Sequence, residues 1–269
     1  MRAEKLLVLL ICAQCVLARS ASADTPWEGY AGDAQHTAVS SVASQPLQSI
    51  HWQTSVDLNP QLIDNDILIH YGSPMITSTN TVIVPQKTGA DGGFRLNAFS
   101  GATGAPVWSL PTDYALPPHF WIPSYSPTLT PDNHVYYPGA GGTVYSIANA
   151  NASTPGAVTQ TAFFGNASYA ASKSAYDSSV FVSTPLTSDS AGNVYFGYHV
   201  TGLNPLGLQS GIARVAPGRR LSSARRKVEG ADGQAGDGRP RRRRSRERPH
   251  HLPPGLWRNA GGLRRSRHA

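Results

Sequence analysis

From residue 24 to about residue 217, apolar positions fall in short stretches of strand length, separated by clusters of Gly, Pro, Asn, Asp and Ser. The stretches are rich in Val, Tyr and Thr, residues that suit a pleated, half-buried surface. No long stretch repeats its apolar positions at the roughly 3.6-residue period of a helix. The pattern therefore predicts strands throughout. Residues 1–23 differ: Arg2 and Lys5 precede an apolar run from Leu6 to Ala18, and Ala21-Ser22-Ala23 stands before Asp24. That order reads as a secretory signal peptide cleaved between Ala23 and Asp24, which predicts a secreted or periplasmic protein. The run is shorter than the ~18 apolar residues a spanning helix needs, and no later run approaches that length, so no membrane span is expected. Cys12 and Cys15 both lie in the signal. The mature chain is then left without disulfides, thiolate metal sites or a cysteine nucleophile, and its fold must rest on packing.

The strands repeat. Ser73-Pro74-Met75-Ile76-Thr77 followed by Thr81-Val82-Ile83-Val84 returns as Ser126-Pro127-Thr128-Leu129-Thr130 followed by His134-Val135-Tyr136-Tyr137. A third copy runs Thr184-Pro185-Leu186-Thr187, then Asn193-Val194-Tyr195-Phe196, so that Pro74, Pro127 and Pro185 mark a nearly constant period. In each copy a Pro opens a short strand, a polar turn follows, and an apolar strand crosses the core. The second copy continues through Gly139-Ala140-Gly141-Gly142, a hairpin turn, into Thr143-Val144-Tyr145-Ser146-Ile147. Two consecutive hairpins make one four-stranded blade, and a period of this length points to propeller blades.

In the first copy the next strand and turn read Leu96-Asn97-Ala98-Phe99-Ser100-Gly101-Ala102-Thr103-Gly104-Ala105-Pro106-Val107-Trp108. This resembles the quinoprotein-type propeller repeat, A-x-D-x-x-T-G-x-x-x-W: Ala98, Thr103, Gly104 and Trp108 match, and Ser100 replaces the usual Asp. Trp27 to Thr37 is similar to the opening segment of that family, and Ile50-His51-Trp52 resembles the Trp strand that closes a partial blade. The likeness covers about residues 25–215; the second and third copies lose the T-G-x-x-x-W ending. It implies an all-β fold, a partial β-propeller of about three four-stranded blades behind a partial opening blade. Without any ligand, Thr103-Gly104 makes a tight turn and Trp108 packs between neighbouring blades.

Charge divides the chain at about Pro217. Residues 1–217 carry 7 Lys and Arg against 12 Asp and Glu, whereas residues 218–269 carry 16 against 4. This last stretch contains no Thr, Ile, Tyr, Phe or Met and includes Arg241-Arg242-Arg243-Arg244. It reads as a disordered, Arg-rich tail. Its Arg, Gly, Ala and Pro all have GC-rich codons, so an out-of-frame reading of GC-rich DNA accounts for it; a genuine arm that binds polyanions through salt-dependent contacts is the other reading. A nucleic-acid partner is not expected of a chain addressed outside the cell.

The resemblance also implies a chemistry to look for. A quinone-dependent dehydrogenase of this family would use pyrroloquinoline quinone (PQQ) with a calcium ion held by Glu, Asn and Asp oxygens, and an Asp as general base. Between residues 24 and 217 the sequence has one Glu, Glu28, placed in the opening segment. Asp64-Asn65-Asp66 reads as a turn more than half a calcium loop. His36, His51, His70, His119, His134 and His199 lack zinc-site spacing, no G-x-S-x-G elbow is present, and Gly89-Ala90-Asp91-Gly92-Gly93 reads as a hairpin tip. No catalytic or metal residue is assigned, and no cofactor is expected unless the dehydrogenase reading holds. The one ligand-loop candidate is Tyr114 to Tyr125, in which His119, Phe120, Trp121 and Tyr125 form an aromatic connection between blades; inter-blade packing is its alternative. The expectation is an exported, non-catalytic binding or scaffold protein with an unnamed protein or small-molecule ligand. A remnant of a PQQ-dependent dehydrogenase is the alternative, and polyanion binding through the tail the weaker one.

Overall fold

A computed structural model describes residues 25–43, 46–70, 72–89, 92–117 and 125–217. The predicted signal peptide and the Arg-rich tail lie outside the described residues. All described residues fall within one compact unit, Met1–Arg226.

The strands are β1 (Gln61–Ile63), β2 (Asp66–Leu68), β3 (Met75–Ile76), β4 (Thr81–Lys87), β5 (Gly92–Ser100), β6 (Pro106–Ala115), β7 (Thr128–Leu129), β8 (Val135–Pro138), β9 (Thr143–Ile147), β10 (Thr159–Ala162), β11 (Val180–Val182), β12 (Thr187–Ser188), β13 (Val194–Val200) and β14 (Gly211–Val215). Two short helices, α1 (Asn166–Ala171) and α2 (Lys173–Asp177), lie between β10 and β11. The molecule is mostly β, as its turn-rich pattern predicts. Three antiparallel sheets carry the body: β3-β4-β5-β6, β7-β8-β9-β10, and a third in which β13 pairs with β11, β12 and β14. We refer to them as the first, second and third sheets.

The repeat is carried at atomic level by one turn, built three times. Thr77 N–H donates to Thr81 O at 3.0 Å, Thr130 N–H to His134 O at 2.9 Å, and Asp189 N–H to Asn193 O at 2.9 Å. Inside each turn a side-chain oxygen also caps the returning strand: Thr77 Oγ1 accepts from Thr81 N–H, Thr130 Oγ1 from His134 N–H, and Asp189 Oδ1 from Asn193 N–H. The third residue after Thr77, Thr130 and Asp189 is left-handed: Asn80 at φ 63°, Asn133 at 62° and Gly192 at 75°. Asn and Gly tolerate that region at least cost, which is why they stand there.

Register then gives the equivalences. Ile76, Leu129 and Ser188 pair with Val82, Val135 and Val194, which pair in turn with Phe99, Ile147 and Val215. The third copy departs from the other two. Both β11 and β12 pair with β13 on the side opposite β14, because Tyr198 pairs with Val182 and Gly211 while Val194 pairs with Ser188 and Val215. They are two halves of one edge strand, which together with β3 and β7 we call the inner strands, interrupted at Ser183-Thr184-Pro185-Leu186. This sheet therefore has four strand segments in three positions, and β14 occupies the third. In place of the expected partial opening blade, the described residues between 25 and 60 make isolated bridges, Trp27 with Ile76 and Asp57 with Lys87. The ladder ahead of the first sheet is instead the β1–β2 hairpin, whose Asp64-Asn65 turn has φ of 49° and 73°. Two left-handed central residues make it a plain type I′ turn.

The two aromatic anchors behave differently. Trp108 is 7% exposed and its indole N–H reaches Ala150 O in the second sheet's β9–β10 connection at 3.4 Å, so it packs between sheets as predicted. Trp52 belongs to no strand; its indole N–H donates to Gly101 O at 3.0 Å and its ring covers the β5–β6 turn. Gly104 at φ +70° lets it come that close, since a Cβ there would stand 2.7 Å from Trp52 Cγ.

Candidate functional site

The inner strands β3, β7 and β12 meet a single N-terminal segment, Trp27 to Ala38. Trp27 exchanges two backbone hydrogen bonds with Ile76, and Leu129 N–H donates to Glu28 O at 2.7 Å. At the third sheet, His36 Nε2 lies 3.0 Å from Thr187 Oγ1. Between β7 and β12, Ser188 Oγ donates to Leu129 O at 2.7 Å and Thr128 Oγ1 lies 3.4 Å from it. The segment thus clasps all three inner edges, and its bend is tight: Ala31, His36 and Ala38 each have φ of 55°. Left-handed backbone at residues with a Cβ is costly and persists where neighbours over-determine it. Asp33 supplies that hold, accepting from Gln35 N–H at 2.9 Å, from Thr37 N–H at 3.2 Å and from the Thr37 hydroxyl.

Glu28, Tyr30, Asp33 and His36 line a cleft of about 160 Å³ with Thr128 and Thr187. Burial holds the Glu28 carboxyl above the usual glutamate range, and the charge of Asp33 adds to it. Asp33 is lowered by the Thr37 hydroxyl and backbone N–H groups. One carboxyl is raised by burial and the other is committed to a cap. Among the described residues no three His, Cys, Asp or Glu converge to hold a metal. His36 and Thr187 have the spacing of a base and a hydroxyl. An activated nucleophile also needs a group that orients the base. Here, among the described residues, the imidazole meets the edge of the Tyr30 ring, 5.3 Å between centroids, and no carboxylate orients it.

Tyr114 and Tyr125, the two ends of the predicted ligand loop, lie at the opposite end of the first sheet. His119, Phe120 and Trp121 lie outside the described residues. Tyr125 is fully buried: its ring stacks on Phe94 at 4.5 Å and meets Tyr114 at 5.3 Å, and Tyr114 donates to Val182 O in the third sheet at 2.7 Å. Tyr125 thus packs into the core. Beside it lies an ion pair that the sequence reading did not single out. Lys87 Nζ lies 3.3 Å from both Asp57 oxygens and 2.6 Å from Asn59 O, with side chains 1% and 2% exposed. Its signal was a lone Lys at the end of an apolar strand, one of two Lys between residues 24 and 217.

A second missed group covers the glycine turn between β8 and β9. Lys173 pairs with Asp177 and lies 3.6 Å from Asp113 Oδ2, while Tyr169 donates to Asp177 at 2.8 Å. The Asp177 hydrogen bond raises the Lys173 pKa, and burial pushes Tyr137 up to about 12. The helices' signal was Tyr169 and Tyr176, two turns apart and both buried, behind Phe163-Phe164. These groups pin α1 and α2 onto the sheet ends. No protein-family profile matches this chain, and no curated protein matches it.

Proposed function

We propose that this chain is an exported binding or scaffold protein, and that its three sheets are blades of an incomplete β-propeller of the quinoprotein type. The observation that carries this reading is the turn at Thr77, Thr130 and Asp189, hydrogen-bonded alike in three successive sheets. The inner strands support it too, since Leu186 N–H donates to Ser126 O at 3.0 Å and Ser73 N–H to Ser126 Oγ at 3.3 Å, joining neighbouring copies edge to edge. Export rests on the signal at residues 1–23. Binding is favoured over catalysis because the clasp's Asp33 is engaged in a cap and burial raises the Glu28 carboxyl above the usual glutamate range. Titration with PQQ plus calcium, followed by a dye-linked alcohol or sugar oxidation assay, tests it. The binding reading expects no saturable signal and no turnover; saturable binding with turnover would establish the dehydrogenase instead.

A further inference from the structure

The clasp, Trp27 to Ala38, sets its own shape. Glu28 N–H donates to Gly32 O at 2.8 Å, Ala38 N–H to Ala31 O at 2.9 Å, and Asp33 caps the bend from within. Its hold on the sheets runs through Ile76, Leu129 and Thr187. The chain is next fixed at Trp52, on the β5–β6 turn. Between the two anchors runs a strap, residues 39–50, whose described residues belong to no strand or helix. Its N–H groups reach local hydroxyls, Val39 to Thr37 Oγ1 at 3.4 Å and Val42 to Ser40 Oγ at 3.1 Å. A strap of that length spans as much as about 40 Å when extended.

Two features of the strap suit contact with a second copy of itself. Val39, Val42, Leu47 and Ile50 are each more than half exposed. Large apolar side chains gathered along one exposed segment mark an interaction surface. The sequence also has no Lys, Arg, Asp or Glu between Asp33 and Asp57. A charged segment repels its own copy, and this one does not. None of the clasp's contacts with the sheets is made by the strap, so the sheets of another copy would seat the same clasp equally well.

We propose that two copies of this chain exchange their clasps. Each clasp seats on β3, β7 and β12 of the other copy, and the two straps pack their apolar residues together where they cross. Exchange of an identical element is a low-cost route to a two-fold dimer, because every contact of the monomer is remade between the copies. The strap-to-strap contact is the one addition. The cleft is then built from two chains: Glu28, Tyr30, Asp33 and His36 come from one, and Thr128 and Thr187 from the other. A clasp tethered to its own sheets competes at an effective concentration on the order of 1 mM. Exchange therefore sets in as the chain approaches that concentration, and the strap contact lowers the threshold.

The test uses the chain beginning at Asp24, which has no cysteine. Refolded from urea, it should sediment increasingly as a dimer as its concentration rises toward about 1 mM. Thiols then show where each clasp lies. Trp27 and Ile76 exchange two backbone hydrogen bonds, a pairing whose Cα separation of about 5.5 Å a disulfide can span. A Trp27→Cys chain and an Ile76→Cys chain, refolded together and oxidised, should be joined by a disulfide between positions 27 and 76. Trp27→Cys mixed with Ile212→Cys, at an exposed position on β14, should be joined far less. Strap variants keep the test decisive if Trp27→Cys does not fold. A chain carrying Val42→Glu and Leu47→Glu should dimerise about tenfold more weakly than the parent, and mixing it with one carrying Val42→Lys and Leu47→Lys should restore the dimer. A monomer at every concentration up to about 1 mM, equal joining to positions 76 and 212, or strap variants that dimerise like the parent would overturn the exchange.

Discussion

Replacing Lys87 by Met removes the cation of a pair with almost no exposure. Asp57 would keep the His70 N–H at 2.8 Å and the Asn59 N–H at 3.0 Å, but its charge would lie buried without a counter-ion. Breaking a buried pair from one side costs about 3–5 kcal/mol, a large share of the roughly 5–15 kcal/mol that holds a domain folded. The loss is not purely local. Residues 55–58 are fastened to β4 through Gln86 Nε2 to Ser55 O at 2.6 Å, Lys87 N–H to Val56 O and Leu58 N–H to Lys87 O, both at 2.9 Å. With a urea slope of about 2 kcal/mol per molar, a loss of about 4 kcal/mol lowers the unfolding midpoint by about 2 M. Tryptophan fluorescence reports it, since Trp108 lies in the same sheet. The double variant Lys87→Met with Asp57→Asn should recover most of the loss, because no orphan charge is left. A midpoint shift below about 0.5 M, the effect of an exposed pair, or a double variant no better than the single one, would refute the reasoning.

Gly104→Ala places a Cβ 2.7 Å from Trp52 Cγ at a φ of +70°. It should destabilise the fold by more than about 1 kcal/mol, and a denaturation curve unchanged from the parent would contradict this. Glu28→Gln tests the clasp through pH. The folded state holds the Glu28 proton more tightly than the unfolded chain. Glu28 therefore costs nothing below the unfolded glutamate range, and stability falls as pH rises through the raised folded value. The variant should melt above the parent at neutral pH and level with it below about pH 4. A constant difference across that window would count against a half-buried Glu28 with a raised pKa.

The strands and the hairpin tips were legible because alternating Val, Tyr and Thr between Gly, Asn and Pro leave the backbone few other choices. Trp108 was legible for its size, and Gly104 for its place after Thr103. The third copy was harder. Its stretch from Pro185 to Val194 is one residue longer than Pro74 to Val82 or Pro127 to Val135, and that residue is absorbed where the inner strand is interrupted. Asp189, not Thr187, therefore fills the turn position of Thr77, since a carboxylate caps the same N–H as well as a hydroxyl does. The clasp could not be read at all: Trp27 meets Ile76 and His36 meets Thr187, far along the chain, and such pairings leave no local signature. Lys87 and Asp57, likewise distant in sequence, escape notice for the same reason.

The central claim is that successive copies stand side by side at their inner edges. A disulfide tests it directly, because the chain from Asp24 onward has no cysteine. Thr128 Oγ1 and Ser188 Oγ, from β7 and β12, lie 3.4 Å apart. With Thr128→Cys and Ser188→Cys on a chain beginning at Asp24, mild oxidation should form an intramolecular disulfide in the folded protein and lose it in urea. A Thr128→Cys and Ser190→Cys control, with the second thiol moved out into the turn, should form far less. Failure of the first pair to cross-link under native conditions, or equal yields from both, would contradict the side-by-side arrangement of the copies.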